Sequence, residues 1–110
     1  MEISYADFEK VEIRVGKIVR VEEFAKARKP AYKLWIDFGP LGTKQSSAQI
    51  TKFYNKEDLI GSQVVAVVNF LPRQVADFMS EVLVLGAVPA EGDVILLKPD
   101  QEVELGSRIL

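Results

Sequence analysis

Neither cysteine nor histidine occurs anywhere in the chain. Their absence removes disulfides, a thiolate nucleophile, an imidazole general base and a Zn²⁺ site of the usual nitrogen and sulfur kind. The Ser-His and Cys-His pairs of hydrolases go with them. A Ser-Lys pair or carboxylate-only metal chemistry would still be open, but Lys44 near Ser46 and Ser47 makes no convincing constellation. The seven glycines are scattered, with neither G-x-x-x-x-G-K nor G-x-G-x-x-G among them. No apolar run approaches the roughly 20 residues that span a bilayer, and the N-terminus M-E-I-S-Y-A-D-F-E-K lacks a basic stretch followed by an apolar one. The expectation is a non-catalytic, soluble, cytoplasmic protein with no metal, no cofactor and no membrane insertion. A strong basic excess is lacking as well, since 14 Lys and Arg stand against 16 Asp and Glu, which argues against a general coat for duplex nucleic acid. The balance is uneven along the chain. Residues 1–52 carry ten basic and seven acidic side chains, a surplus of three, whereas residues 53–110 carry four and nine, a deficit of five. Either a local basic face or solvated strand edges guarded by Lys and Arg fits those counts.

What is present centres on Val64 to Leu85, V-V-A-V-V-N-F-L-P-R-Q-V-A-D-F-M-S-E-V-L-V-L. Val64 to Val68 is short, rich in β-branched residues and bounded by Gly61 and Asn69, which predicts a strand buried on both faces. Val82 to Leu85 reads the same way. Between them Asn69, Arg73, Gln74, Ser80 and Glu81 offer donors and acceptors, while Phe70, Leu71, Phe78 and Met79 offer apolar area. Two readings are open: a binding loop held on a β scaffold, or a connection whose aromatics cap the core.

The remaining elements follow from periodicity. Tyr5, Phe8 and Val11 have helical spacing, with Asp7 as the cap of a short turn closing one end of the molecule. Val11, Ile13 and Val15 alternate with polar residues, and the pattern resumes at Ile18 after Gly16, where a bulge is expected. Glu22 to Pro30 is charged and reads as a loop, with one helical turn at Ala25 to Arg28. In Tyr32 to Phe38, Leu34, Ile36 and Phe38 face the core and Lys33, Trp35 and Asp37 face away. An outward Trp35 beside Lys33 suits stacking on a base, holding an apolar peptide side chain or burial in a dimer contact. After the turn Gly39 to Thr43, the next strand places Gln45, Ser47 and Gln49 on one face. This stripe reads as a partner for bases or extended peptide, or as a solvated edge. Asn55 to Gly61 has a capping residue, first-turn acids and a terminal glycine, and so forms a short helix. Val94 to Leu97 is a further strand, Pro99-Asp100 a turn, and Ile109 and Leu110 need cover, either from their own barrel or from a second subunit.

Five principal strands with a short helix between the third and fourth describe an all-β, five-stranded OB-fold barrel with N- and C-terminal extensions, occupying residues 1–110 as a single domain. With D-F-E-K-V-E-I-R-V-G-K-I at Asp7 to Ile18, K-L-W-I-D-F-G at Lys33 to Gly39, and N-F-L-P-R and S-E-V-L-V-L at Asn69 to Leu85, the sequence resembles the tRNA-binding-domain family. Members of that family occur as small dimers and as modules appended to methionyl- and phenylalanyl-tRNA synthetases. Q-S-S-A-Q-I-T at Gln45 to Thr51 and F-M-S-E-V-L-V-L-G at Phe78 to Gly86 resemble its CsaA branch of homodimeric, export-related chaperones. The pattern departs from the tRNA-binding members at Asp77 and at Val82-Leu83, beside the binding loop. The resemblance implies a homodimer that binds unfolded or secretory polypeptides or, in the alternative, tRNA. It assigns Lys33, Asn69, Arg73 and Ser80 to the ligand face, with Lys33 and Arg73 on phosphate or carboxylate and Asn69 and Ser80 as hydrogen-bonding groups. Trp35, Gln45, Ser47, Gln49, Phe70 and Phe78 are added from the residues themselves.

Overall fold

The computed structural model describes residues 1–110. Its elements are α1 (Tyr5–Glu9), β1 (Ile13–Glu23), β2 (Tyr32–Asp37), β3 (Thr43–Ala48), α2 (Lys56–Leu59), β4 (Gln63–Val67), β5 (Arg73–Val75), β6 (Phe78–Ser80), β7 (Leu83–Val84), β8 (Gly86–Ala87) and β9 (Ile95–Leu96), with a 3₁₀ turn at Gly39–Leu41. An antiparallel sheet in the order β3-β2-β1-β4-β7 wraps into an OB-fold barrel, as the strand pattern predicts.

The long β1 makes this possible. Its first half, Ile13 to Lys17, pairs with β4, and its second half, Lys17 to Glu23, pairs with β2. The strand turns just past their junction, at a bulge where the register with β2 skips Val19. The expected bulge at Gly16 is therefore displaced: Gly16 sits in regular register opposite Val64. Its missing side chain serves packing instead, because a Cβ there would lie 2.5 Å from Ile36 Cγ2 and 2.7 Å from the Phe38 ring. Alternation supplies the rest of the core. Leu34, Ile36 and Phe38 are fully buried together with Ile18, Val64 and Ala66, and Leu59 of α2 plugs the same core. Gly61, at a φ of 90°, ends α2 in the left-handed conformation that glycine adopts readily.

Several local expectations are corrected. Ser4, not Asp7, caps α1, and Asp7 returns a bond to the Ser4 N–H in a capping box. The helix buries no side chain and so closes nothing. Asn55 occupies the N-cap of α2 without a side-chain bond to the helix backbone. Ala25 to Arg28 forms turns and not a helix. Val82 is buried but Leu83 is 48% exposed, so this segment is a one-faced edge and not a strand buried on both sides. The expected strand at Val94 to Leu97 shrinks to β9, which pairs with β8 outside the main sheet. The C-terminal segment lies along the free edge of β1, with Ile109 N–H donating to Ile13 O at 2.9 Å, while Leu110 stays 78% exposed.

Gly16→Ala is expected to lower stability by about 1–3 kcal/mol, the range for overpacking a filled core. Urea titration checks this, with a lower midpoint and an unchanged slope as the expected result.

Candidate functional site

The barrel closes where the outer edge of β3 meets the end of β6. Glu81 N–H donates to Gln45 O at 2.8 Å, Gln45 N–H donates to Glu81 Oε1 at 3.0 Å, and Ser47 N–H donates to Ser80 Oγ at 3.1 Å. Gln45 adds a bond from Nε2 to Met79 O at 2.8 Å. The β3 edge is thus a joint rather than a solvated margin, and Gln45 and Ser80 are occupied within it. Ser80 is buried, Ser47 is half-buried, and Gln49 lies exposed just past the strand end.

The segment between β4 and β7 leaves the barrel at Asn69, whose side chain is also committed. Its Oδ1 accepts from Glu12 N–H at 3.0 Å and its Nδ2 donates to Lys10 O at 2.7 Å, tying the exit of β4 to the end of α1. Phe70 and Leu71 then project outward, 54% and 91% exposed. The chain next forms a β5–β6 hairpin in which Arg73 pairs with Ser80 and Val75 with Phe78. Ala76 takes a φ of 53° in the two-residue connection, a place where glycine is the usual choice.

Phe78 seats that hairpin. It is buried against Phe24 and Ala31, with its ring edge-on to Phe24 at 5.5 Å and to Trp35 at 5.9 Å. Lys33 Nζ lies 4.9 Å from the Phe24 centroid and 5.3 Å from that of Phe78, an arrangement favoured by the negative faces of the rings. The Arg20 guanidinium covers Trp35 at 4.5 Å. Lys33, Trp35 and Phe78 therefore form a small satellite core on the outside of the barrel. At the hairpin tip Lys26 Nζ meets Asp77 Oδ2 at 2.9 Å. The hydrogen bond from Lys26, aided by the charges of Lys26 and Lys33, holds the Asp77 carboxyl below its ordinary value of 3.8. The pair's small contribution is complete above that value and disappears as pH falls through the lower folded one.

Two grooves flank the hairpin and share Ser47 and Arg73. One, of about 470 Å³, lies between the β1–β2 loop and the hairpin and is lined by Lys26, Arg28, Lys29 and Arg73, with Gln49 at its side and no acidic residue in its wall. The other, of about 540 Å³, has Phe70, Leu71, Val82 and Leu83 as its apolar wall, with Asn69, Ser80 and Glu81 among its polar groups. Arg73 forms no ion pair and borders both grooves. Sequence reasoning missed Lys26, Arg28 and Lys29, although the run K-A-R-K was visible. What it could not supply was their position opposite Arg73. Leu71 was named with the apolar area of the loop but not as a site residue, and Val82 and Leu83 were missed because apolar residues in a strand read as core.

The residues matching the family model described as "Putative tRNA binding domain" are 13–108, nearly the whole barrel. The chain belongs to the tRNA-binding-domain family. A solved structure of the chaperone CsaA from Bacillus anthracis is 57% identical, with a TM-score of 0.95 and complete coverage of both chains. The CsaA chaperone protein from Picrophilus torridus is 55% identical at a TM-score of 0.92, covering 99% of this chain and 100% of that one. The methionine–tRNA ligase of Methanocaldococcus jannaschii is 35% identical over 109 residues, which are 99% of this chain. The chain spans only 16% of that ligase's length, so the match is to one module of a larger enzyme. Both kinds of relative thus share this tRNA-binding-domain barrel.

Phe78→Ala should release the hairpin while leaving the barrel folded. Faster amide hydrogen exchange over residues 73–80, with a stability loss of about 3 kcal/mol from the lost ring, is the expected outcome; unchanged exchange there would contradict the anchoring role.

Proposed function

We propose that this chain is a non-catalytic, CsaA-like chaperone, acting in the cytoplasm as a homodimer of single-domain subunits on unfolded or export-destined polypeptides. The observation that carries the reading is the groove walled by Phe70, Leu71, Val82 and Leu83, where three large apolar side chains stand 54%, 91% and 48% exposed at Phe70, Leu71 and Leu83. Apolar area gathered in one concavity marks a site for apolar partners. Ser47 and Arg73 at its border suit a peptide's carbonyls and carboxylates, because a hydroxyl and a guanidinium both donate to such oxygens. The likeness to the two CsaA structures over the full chain supports the same reading. Exposed Ile3, Tyr5 and Leu110 at the two ends of the chain support a second copy as their cover.

A second reading, tRNA binding, is favoured by the neighbouring groove, whose wall carries four cations and no acidic residue. Arg73 serves either ligand, since carboxylate and phosphate each offer a pair of charged oxygens that guanidinium can bind in bidentate fashion. The two readings differ in their response to salt. Polypeptide held by apolar contact changes affinity little with ionic strength, whereas phosphate contacts release counterions and weaken steeply.

Anisotropy of a labelled, reduced and unfolded polypeptide is expected to report binding that Leu71→Asp weakens by about tenfold or more, as for a substitution at an apolar anchor. Wild-type affinity in that variant would exclude this groove. Light scattering at micromolar concentration should give about twice the 12.3 kDa mass of one chain; a monomeric mass would remove the homodimer.

A further inference from the structure

We propose that Asp77 is a specificity-determining residue that acts as an internal competitor for RNA phosphate, its carboxylate holding Lys26 at the hairpin tip and so withholding that ammonium from a phosphate. The inference rests on the second reading above, that the groove between the β1–β2 loop and the β5–β6 hairpin takes the RNA backbone.

Lys26, Arg28, Lys29 and Arg73 line that groove. Of these four, only Lys26 has a carboxylate partner, and that partner is Asp77 at 2.9 Å. Asp77 directly follows Ala76, itself part of the groove wall, so the carboxylate stands at the groove's margin. Its oxygens are charged acceptors like those of phosphate, and the two compete for the same ammonium.

The pair is not needed to hold the hairpin in place. Its side chains are 73% and 49% exposed, and exposed pairs of this kind contribute little to stability. The hairpin is already fixed by Phe78 against Phe24 and Trp35, and by the Gln45 and Ser47 bonds to Met79 and Ser80. What the carboxylate changes is the charge that the groove offers. With Asp77 in place the four cations amount to a net surplus of three, and without it, of four. The carboxyl stays ionised throughout the neutral range, so the competition operates there.

The test is binding of a fluorescein-labelled tRNA transcript over a salt series. The proteins compared are the wild type, Asp77→Asn, the double variant Lys26→Ala with Asp77→Asn, Arg28→Ala, and Glu102→Gln as a charge-matched change away from the groove. One freed phosphate contact is worth about five- to eightfold in affinity at about 0.1 M salt, and steepens the logarithmic salt slope by about 0.7–0.9. Asp77→Asn is expected to show both effects with an unchanged thermal midpoint, and the double variant neither. An Asp77→Asn protein with wild-type affinity and slope would overturn the proposal. So would a gain that persists without Lys26, or an equal gain from Glu102→Gln. If the wild type binds and Arg28→Ala weakens it while Asp77→Asn changes nothing, only the competitor role falls. If neither the wild type nor Asp77→Asn binds at low salt, the RNA reading of the groove falls, and the proposal with it.

Discussion

Gln45 and Glu81 exchange backbone and side-chain hydrogen bonds across the seam between β3 and the segment after β6. A sheet that curls into a barrel must satisfy its two edges or leave buried N–H and C=O groups unpaired. This seam satisfies them. It also fixes where β6 begins its return, which sets the hairpin against the outside of the barrel. Phe78 then has to be covered, and Phe24, Ala31 and Trp35 cover it. Both grooves are the spaces left on either side of that seated hairpin, so barrel closure and groove formation share one cause.

The same arrangement sorts side chains between holding the fold and meeting a ligand. Asn69, Gln45 and Ser80 are hydrogen-bonding residues whose side chains each already make a hydrogen bond within the chain. Lys33 spends its charge over two aromatic rings. Arg73, Gln49, Phe70 and Leu71 remain exposed on the groove walls. Family-matched positions and groove-exposed positions therefore overlap only in part. A residue matched to its family here can act by seating the hairpin that presents the others.

Strand alternation made the barrel legible. Leu34, Ile36 and Phe38 read as core from their spacing and are core, and Lys33, Trp35 and Asp37 read as the opposite face and lie there half-buried. Gly16 was misread because a glycine within a strand signals either a bend or a close neighbour, and only the Phe38 ring distinguishes them. The polar stripe of β3 was ambiguous for a related reason. Gln and Ser on a strand face look alike whether the edge meets water, ligand or another segment. Which one it meets depends on Ser80 and Glu81, more than thirty residues further along the chain.

By itself the sequence determined that no side chain can supply a thiol or an imidazole, the succession of strands along the chain, and the residues that line the barrel core. Those follow from composition and local periodicity, which do not depend on distant contacts. Tertiary structure alone decided that K-A-R-K faces Arg73, that Phe78 is buried against Phe24 and Ala31, and that Asp77 holds Lys26. Each of those depends on how far β1 bends and where the sheet closes, quantities set by packing across the whole barrel.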